Sequence, residues 1–203
     1  MRRAENRTMS TVDGTVDGTG RRLDSSEYPS QSSYANGALM CTSAAVFWAL
    51  SCVCDIVQPM CSAAQMRLLM QTASATHAAV ARRGGASAEH TLQQHEVLLN
   101  IDKPCSVRAE EMYGYCGDKT PEMDAFVHVS DLYTLLRPGD ALLLTGAGHT
   151  TALFRDARPD LYAFDSMPAC VARVSSAAAL ATALLASHKG MQEFTATLLH
   201  APA

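Results

Sequence analysis

The 203-residue chain is poor in aromatic and charged residues, and it lacks the sequence features of several protein classes. Aromatic residues make up 6% of the chain, charged residues make up 18%, and the net charge is −4. No basic segment is interleaved with aromatic residues, so a nucleic-acid-binding surface is not expected. Hydrophobic residues nevertheless reach 48%, which is enough to build a folded domain with a core.

Seven cysteines are spread along the chain without the spacing of a metal site. There is no Cys-X-X-Cys pair, and no histidine stands at ligand spacing from a cysteine. The odd count and the lack of a recognisable secretory signal favour reduced thiols in a cytosol-like compartment. Each thiol is then expected to be a packing residue or a nucleophile, and neither a metal nor an organic cofactor is expected.

The composition divides the chain into two regions. Residues 1–33 are rich in Ser, Thr, Gly and mixed charges, which predicts a disordered N-terminal tail, and residues 34–203 are predicted to form one domain. Within the domain, the segment from Leu39 to Val57 is nearly all apolar and is long enough to span a membrane. Polar residues such as Asp55 interrupt it, so a buried central helix is favoured over a membrane span.

Helical patterns precede strand patterns in the domain. The pattern predicts helices over Ala63–Arg82, Ala88–Leu99, Asp131–Leu136 and Ser176–Ser187, an irregular connection over 100–125, and strands over Asp140–Thr145, Thr150–Arg155, Leu161–Phe164, Cys170–Val174 and Glu193–Leu199. This order predicts an α+β fold in which the central helix packs on an antiparallel sheet.

Cys41 stands where a polar loop gives way to the predicted buried helix. The first turn of a helix presents unpaired N–H groups and the positive end of the helix dipole, which favour a thiolate. Cys41 is therefore a candidate nucleophile. A small buried packing residue is the alternative, because free cysteines are commonly buried.

His149 and Asp165 are the candidate partners of this thiol. His149 follows Gly146-Ala147-Gly148 at the start of a predicted strand, a setting that suits a general base. Asp165 ends the next predicted strand and could orient the imidazole, although an ordinary strand-end Asp is the alternative. Whether the two side chains share one face depends on the strand register. The order Cys, His, Asp is that of papain-like cysteine proteases.

Three segments carry a more specific likeness: Gln31–Ser43, Gly148–Phe154 together with Tyr162–Ser166, and Cys170–Leu180. They resemble the N-terminal protease domain of herpesvirus large tegument proteins, a deubiquitinating family with a divergent papain-like fold. The resemblance implies hydrolysis of the bond after the C-terminal glycine of ubiquitin or ubiquitin-like modifiers. It also implies that Cys41 is the nucleophile, Asp165 the acid, and Gln31 the donor that stabilises the oxyanion.

The same resemblance implies partners and a location. The partners would be ubiquitin and ubiquitinated host or viral proteins, with other tegument or capsid proteins as further candidates. The chain would be found in the virion tegument and in the host cytoplasm or nucleus. No membrane or nucleic-acid partner is expected.

One position departs from the family pattern. The family histidine usually follows the aspartate by two residues, and Met167 occupies that position here. Either His149 supplies the base, as in papain's own order, or the chain is a ubiquitin-binding pseudoprotease. An unrelated papain-like peptidase is a third hypothesis. The coincidence of nucleophile, acid and a glycine-framed histidine favours an active enzyme that uses His149.

Overall fold

A mixed sheet of eight strands with helices on both faces forms the frame of the molecule. The computed structural model describes residues 25–27, 33, 40–82, 107–118, 125–158, 160–167, 170–188 and 190–200. In chain order the elements are β1 (Ser25–Glu27), α1 (Cys41–Val53), α2 (Ala63–Arg82), β2 (Arg108–Tyr115), β3 (Val127–His128), α3 (Leu132–Leu135), β4 (Ala141–Gly146), β5 (His149–Arg155), β6 (Leu161–Asp165), β7 (Cys170–Val174), α4 (Ala177–Ser187) and β8 (Glu193–His200).

The strands lie in the order β1-β7-β6-β5-β4-β8-β2-β3, and every pair is antiparallel except β2 with β3. The β4–β5 connection is a two-residue turn, because Gly146 pairs with His149. Ala147 and Gly148 have φ angles of 50° and 76°. Two successive residues with positive φ are typical of a type I′ turn, whose twist matches that of the flanking strands. This tight turn fixes the start of β5.

The first core lies between one sheet face and the helices α1 and α2, and we call this side the α1 face. In α1 every residue from Ser43 to Val53 is buried, which is why its sequence is apolar on all sides. The Trp48 ring stacks on Phe164 of β6 with centroids 5.2 Å apart, and its indole N–H donates to the Pro59 carbonyl at 3.2 Å. The predicted α+β class with a buried central helix is confirmed.

The second core covers the opposite sheet face, which we call the α4 face. Leu180 and Leu184 of α4 pack there in one cluster with Leu153 of β5 and Leu161 of β6. The helix begins after Ser176, whose side-chain oxygen accepts a hydrogen bond from the Ala179 N–H at 3.1 Å. This cap satisfies a backbone donor at the helix start and fixes where α4 begins.

Two predictions on secondary structure need correction. The predicted irregular connection over 100–125 contains β2, whose first four residues are exposed, so that strand carries no alternation of apolar residues. Within the predicted tail of residues 1–33, Ser25–Glu27 pairs with β7 as an edge strand. The domain boundary itself stays a prediction, and the predicted helix Ala88–Leu99 lies outside the described residues.

The prediction that all cysteines are reduced is wrong for Cys54, which is disulfide-bonded. Cys54 comes directly after α1 in a half-buried turn, where a second sulfur can approach it more easily than within the packed helix. The other described cysteines are not disulfide-bonded: Cys41, Cys52, Cys61, Cys116 and Cys170. No helix among the described residues is both long enough and apolar enough to cross a bilayer.

Candidate active site

Three of the predicted site residues meet at one end of the sheet. Cys41 is the first residue of α1, His149 the first of β5, and Asp165 the last of β6. His149 Nε2 lies 2.8 Å from Asp165 Oδ1. The side chain of His149 also hydrogen-bonds the Cys41 thiol. Because Nε2 is bonded to Asp165, Nδ1 is the nitrogen available to face the sulfur.

The strand register explains why His149 and Asp165 can meet. Leu153 of β5 pairs with Ala163 of β6. Side chains alternate along a strand, so His149, four residues before Leu153, and Asp165, two residues after Ala163, belong to the same face of the sheet. That face is the α4 face, because Leu153 lies in its core.

The nucleophile comes from the opposite side of the sheet. Thr150, the residue after His149, faces α1, and its hydroxyl oxygen lies 2.9 Å from that of Thr42. The same Thr150 oxygen lies 3.1 Å from that of Thr145 on β4. These hydroxyls tie the first turn of α1 to the β4–β5 hairpin. Cys41 and His149 therefore approach each other from two sides at the end of β5.

The electrostatics favour an ion pair between thiolate and imidazolium. Burial alone would raise the pKa of Cys41, but hydrogen bonds from His149 and the Thr150 backbone, with the charge of His149, bring it below its ordinary value. Burial alone would lower the pKa of His149, but hydrogen bonds and charge from Asp165 and Cys41 raise it to about 9. A charged pair of this kind is the activated form of a cysteine nucleophile.

Asp165 is held ionised by the groups around it. Burial disfavours its charge, but hydrogen bonds from the His149 ring, the Ser187 hydroxyl and the Met167 backbone N–H lower its pKa. The Met167 N–H lies 2.8 Å from Asp165 Oδ1, while the Met167 side chain is 57% exposed. The resemblance places a histidine at position 167. In this chain Met167 instead donates its backbone N–H to the Asp165 carboxylate.

Two supporting residues were missed by sequence reasoning. Ser187 ends α4 and His188 follows it, and His188 is buried with both ring nitrogens hydrogen-bonded. Neither residue stands out in the sequence, because nothing near His188 in the chain marks the strands that it contacts. Gln31, the predicted oxyanion donor, lies outside the described residues.

No metal site is found among the described residues. Within the described part of the chain, no cluster of three or more His, Cys, Asp or Glu side chains could hold a metal ion. The chemistry that the arrangement can perform is nucleophilic attack by Cys41 with proton transfer through His149.

The fold is similar to that of a viral protease. One solved structure that matches is the crystal structure of the ubiquitin-specific protease encoded by murine cytomegalovirus tegument protein M48, in complex with a ubiquitin-based suicide substrate. The TM-score is 0.61 at 13% sequence identity, and the match covers 87% of this chain and 85% of that chain. No protein-family model and no curated protein matches the chain. The similarity shows a papain-like α+β fold.

Proposed function

We propose that this chain is a cysteine-type deubiquitinase that hydrolyses the bond after the C-terminal glycine of ubiquitin or a ubiquitin-like modifier. The observation that carries the proposal is the hydrogen-bonded set of Cys41, His149 and Asp165 at the mouth of a buried helix. Support for the substrate comes from the fold, which is similar to that of a protease solved with a ubiquitin-based substrate.

In the first half of the proposed reaction, the Cys41 thiolate attacks the carbonyl carbon of the terminal glycine. The carbonyl oxygen becomes an oxyanion, which the Cys41 backbone N–H and the proposed donor Gln31 would stabilise. The His149 imidazolium donates its proton to the amine as the carbon–nitrogen bond breaks. The amine leaves, and ubiquitin stays attached to Cys41 as a thioester.

In the second half, the now neutral His149 takes a proton from water, which attacks the thioester carbonyl. The carbon–sulfur bond breaks, the glycine carboxylate forms, and the thiolate–imidazolium pair is restored. Asp165 keeps its negative charge throughout and holds the imidazole through Nε2.

A ubiquitin probe with an electrophilic C-terminus tests the proposal. Wild-type protein should form a covalent adduct with the probe, and the Cys41→Ser variant should form none. Cys116→Ser is the matched control, because Cys116 is another free thiol and follows β2, which β8 and β4 separate from β5. The control should be labelled like the wild type.

The rival hypotheses predict different outcomes of the same assay. Binding of ubiquitin without labelling or turnover would identify a pseudoprotease and overturn the proposal. Cleavage of simple peptides without cleavage of a ubiquitin fluorophore would identify a papain-like peptidase of another specificity.

The resemblance to tegument proteins extends the proposal to the substrates and to the location of the protein. Ubiquitinated host or viral proteins would be the substrates, and the virion tegument and host cytoplasm or nucleus the locations. Enrichment of ubiquitin conjugates in cells that express Cys41→Ser, relative to cells that express wild type, would test the substrate part.

A further inference from the structure

His188 lies next to His149, the proposed general base. It follows α4, it is 1% exposed, and its ring contacts the ring of His149 with centroids 5.2 Å apart and planes tilted by 44°. Its Nδ1 lies 2.8 Å from the carbonyl oxygen of Gly146, and its Nε2 lies 3.0 Å from the hydroxyl oxygen of Thr151. Both ring nitrogens are therefore bonded within the protein.

These contacts define which nitrogen carries the proton. A carbonyl oxygen can only accept a hydrogen bond, so Nδ1 of His188 donates to Gly146. Burial lowers the pKa of His188, and the charge of His149 lowers it further, so the ring is neutral. In the neutral ring Nε2 is an acceptor, and the Thr151 hydroxyl donates to it. The ring thus sits in one tautomer and one orientation.

The two partners of His188 flank the turn that carries His149. Gly146 is the last residue of β4, and Thr151 is the third residue of β5. Met191 also packs closely against Gly146, since an added Cβ would lie 2.4 Å from its sulfur. The side chain of His188, directly after α4, therefore bonds both strands of the hairpin.

The residue before His188 supports the other half of the pair. A hydrogen bond from the Ser187 side chain helps to lower the pKa of Asp165, the carboxylate that holds His149. Ser187 and His188 at the end of α4 thus lie next to Asp165 and His149, respectively.

We propose that His188 is a positioning residue, which holds the imidazole of His149 in line with Asp165 and Cys41 by bridging Gly146 and Thr151. This inference rests on the proposed function, since it assigns His188 a part in that reaction. His188 is buried and therefore does not contact the substrate. Its loss should misplace the base without changing the binding of ubiquitin, and a misplacement of about 1 Å can cost about 10²-fold in rate.

Three substitutions separate the contacts of His188. His188→Phe keeps a ring against His149 but loses both hydrogen bonds, and His188→Asn keeps a donor at the position of Nδ1 for Gly146. Thr151→Val leaves the histidine in place and removes only the hydroxyl. For His188→Phe we expect kcat on a ubiquitin fluorophore to fall about 10-fold to 100-fold with KM unchanged. His188→Asn should recover part of the loss, and Thr151→Val should lose less than His188→Phe.

Two controls report on stability alone. Leu184→Ala removes a buried leucine from the same helix, and Thr197→Val removes a buried hydroxyl from β8. Each variant is assayed at a temperature at which denaturation shows it to be folded. Both controls should keep the kcat of the wild type. If His188→Phe and Thr151→Val lower kcat no more than these controls do, His188 is only a structural residue and the inference is overturned.

Alkylation of Cys41 by iodoacetamide provides a test that does not need ubiquitin. The rate is followed by mass spectrometry of the Cys41 peptide at pH 6, where an ordinary thiol is protonated and reacts slowly. His188→Phe should slow this alkylation several-fold, and Leu184→Ala should not. Slower alkylation in a protein whose wild type fails to hydrolyse ubiquitin would overturn the proposed function and keep the inference, whereas unchanged alkylation would overturn the inference. If His188→Phe does not fold, Thr151→Val gives the same readout.

Discussion

The α1 face and the α4 face of the sheet contribute different parts of the candidate site. On the α1 face, eleven consecutive residues of α1 are buried, from Ser43 to Val53, and the helix contributes one functional group at its first residue. On the α4 face, α4 buries only Leu180 and Leu184 and contributes at its last residue and the one after it. Apolar packing of α1 thus positions the nucleophile Cys41, and hydrogen bonds around the end of α4 position the base His149.

The two faces also stabilise different charges. The N-terminus of α1 presents the positive end of its dipole to Cys41, which favours a thiolate. On the α4 face, the carboxylate of Asp165 raises the pKa of His149, which favours an imidazolium. The opposite faces of one sheet therefore stabilise the opposite charges of one ion pair.

The largest expected effect is the loss of activity on removal of His149, the proposed general base. We expect His149→Ala to lower kcat on a ubiquitin fluorophore by about 10² to 10⁴-fold, because the proposed proton transfer runs through the His149 ring. His200→Ala is the control, since His200 ends β8 and lies near Glu110 and Asp140 instead. Hydrolysis by His149→Ala at the rate of the wild type would show that His149 is not the base.

The packing of the α1 face is tested by Trp48→Ala. Trp48 is fully buried and stacks on Phe164, so its truncation should lower the free energy of unfolding by about 3–5 kcal/mol in urea denaturation. Leu185→Ala on α4 changes a residue that is 44% exposed and should cost less than about 0.5 kcal/mol. Equal losses would contradict the idea that buried apolar packing, rather than exposed apolar surface, stabilises the fold.

The pH dependence of kcat tests the charges of Cys41 and His149. The pair is complete between the lowered pKa of Cys41 and the pKa of His149 at about 9. Below this window the thiolate is protonated, and above it the imidazolium loses the proton that the leaving amine needs. We therefore expect kcat to decline as the pH rises through about 9.

Asp165→Asn provides the matching variant for this profile. Without the carboxylate the pKa of His149 should fall towards its ordinary value of 6.5, so the alkaline decline should move to lower pH. The kcat of both proteins would be measured across pH on a ubiquitin fluorophore. An unchanged alkaline limit would show that Asp165 does not hold the imidazolium.

The smallest expected effect concerns the link between the two faces. Thr150→Val keeps a β-branched residue in β5 and removes the hydroxyl that contacts Thr42 and Thr145. The lost hydrogen bonds should lower the free energy of unfolding by about 1 kcal/mol, measured by thermal denaturation. An unchanged stability would show that packing alone sets α1 against the hairpin.

Local sequence patterns were sufficient for most elements of the domain. The apolar segment predicted α1, and short apolar runs between turn residues predicted β4 to β8 nearly to their observed ends. The strand β2 was missed because five of its eight residues are exposed, among them Arg108, Glu110 and Glu111. Its two buried residues are adjacent at its end, so the sequence shows no alternation of apolar and polar residues.

Cys41, His149 and Asp165 were identifiable by residue type and position, since a thiol before a helix and a histidine after a glycine turn are local features. Their partnership was decided by the tertiary structure. Only the pairing of Leu153 with Ala163 places His149 and Asp165 on one face. His188 shows the limit most clearly, because its partners lie about 40 residues earlier in the chain and only folding brings them together. Sequence fixes the chemistry of each side chain, whereas strand register and helix packing decide which side chains meet.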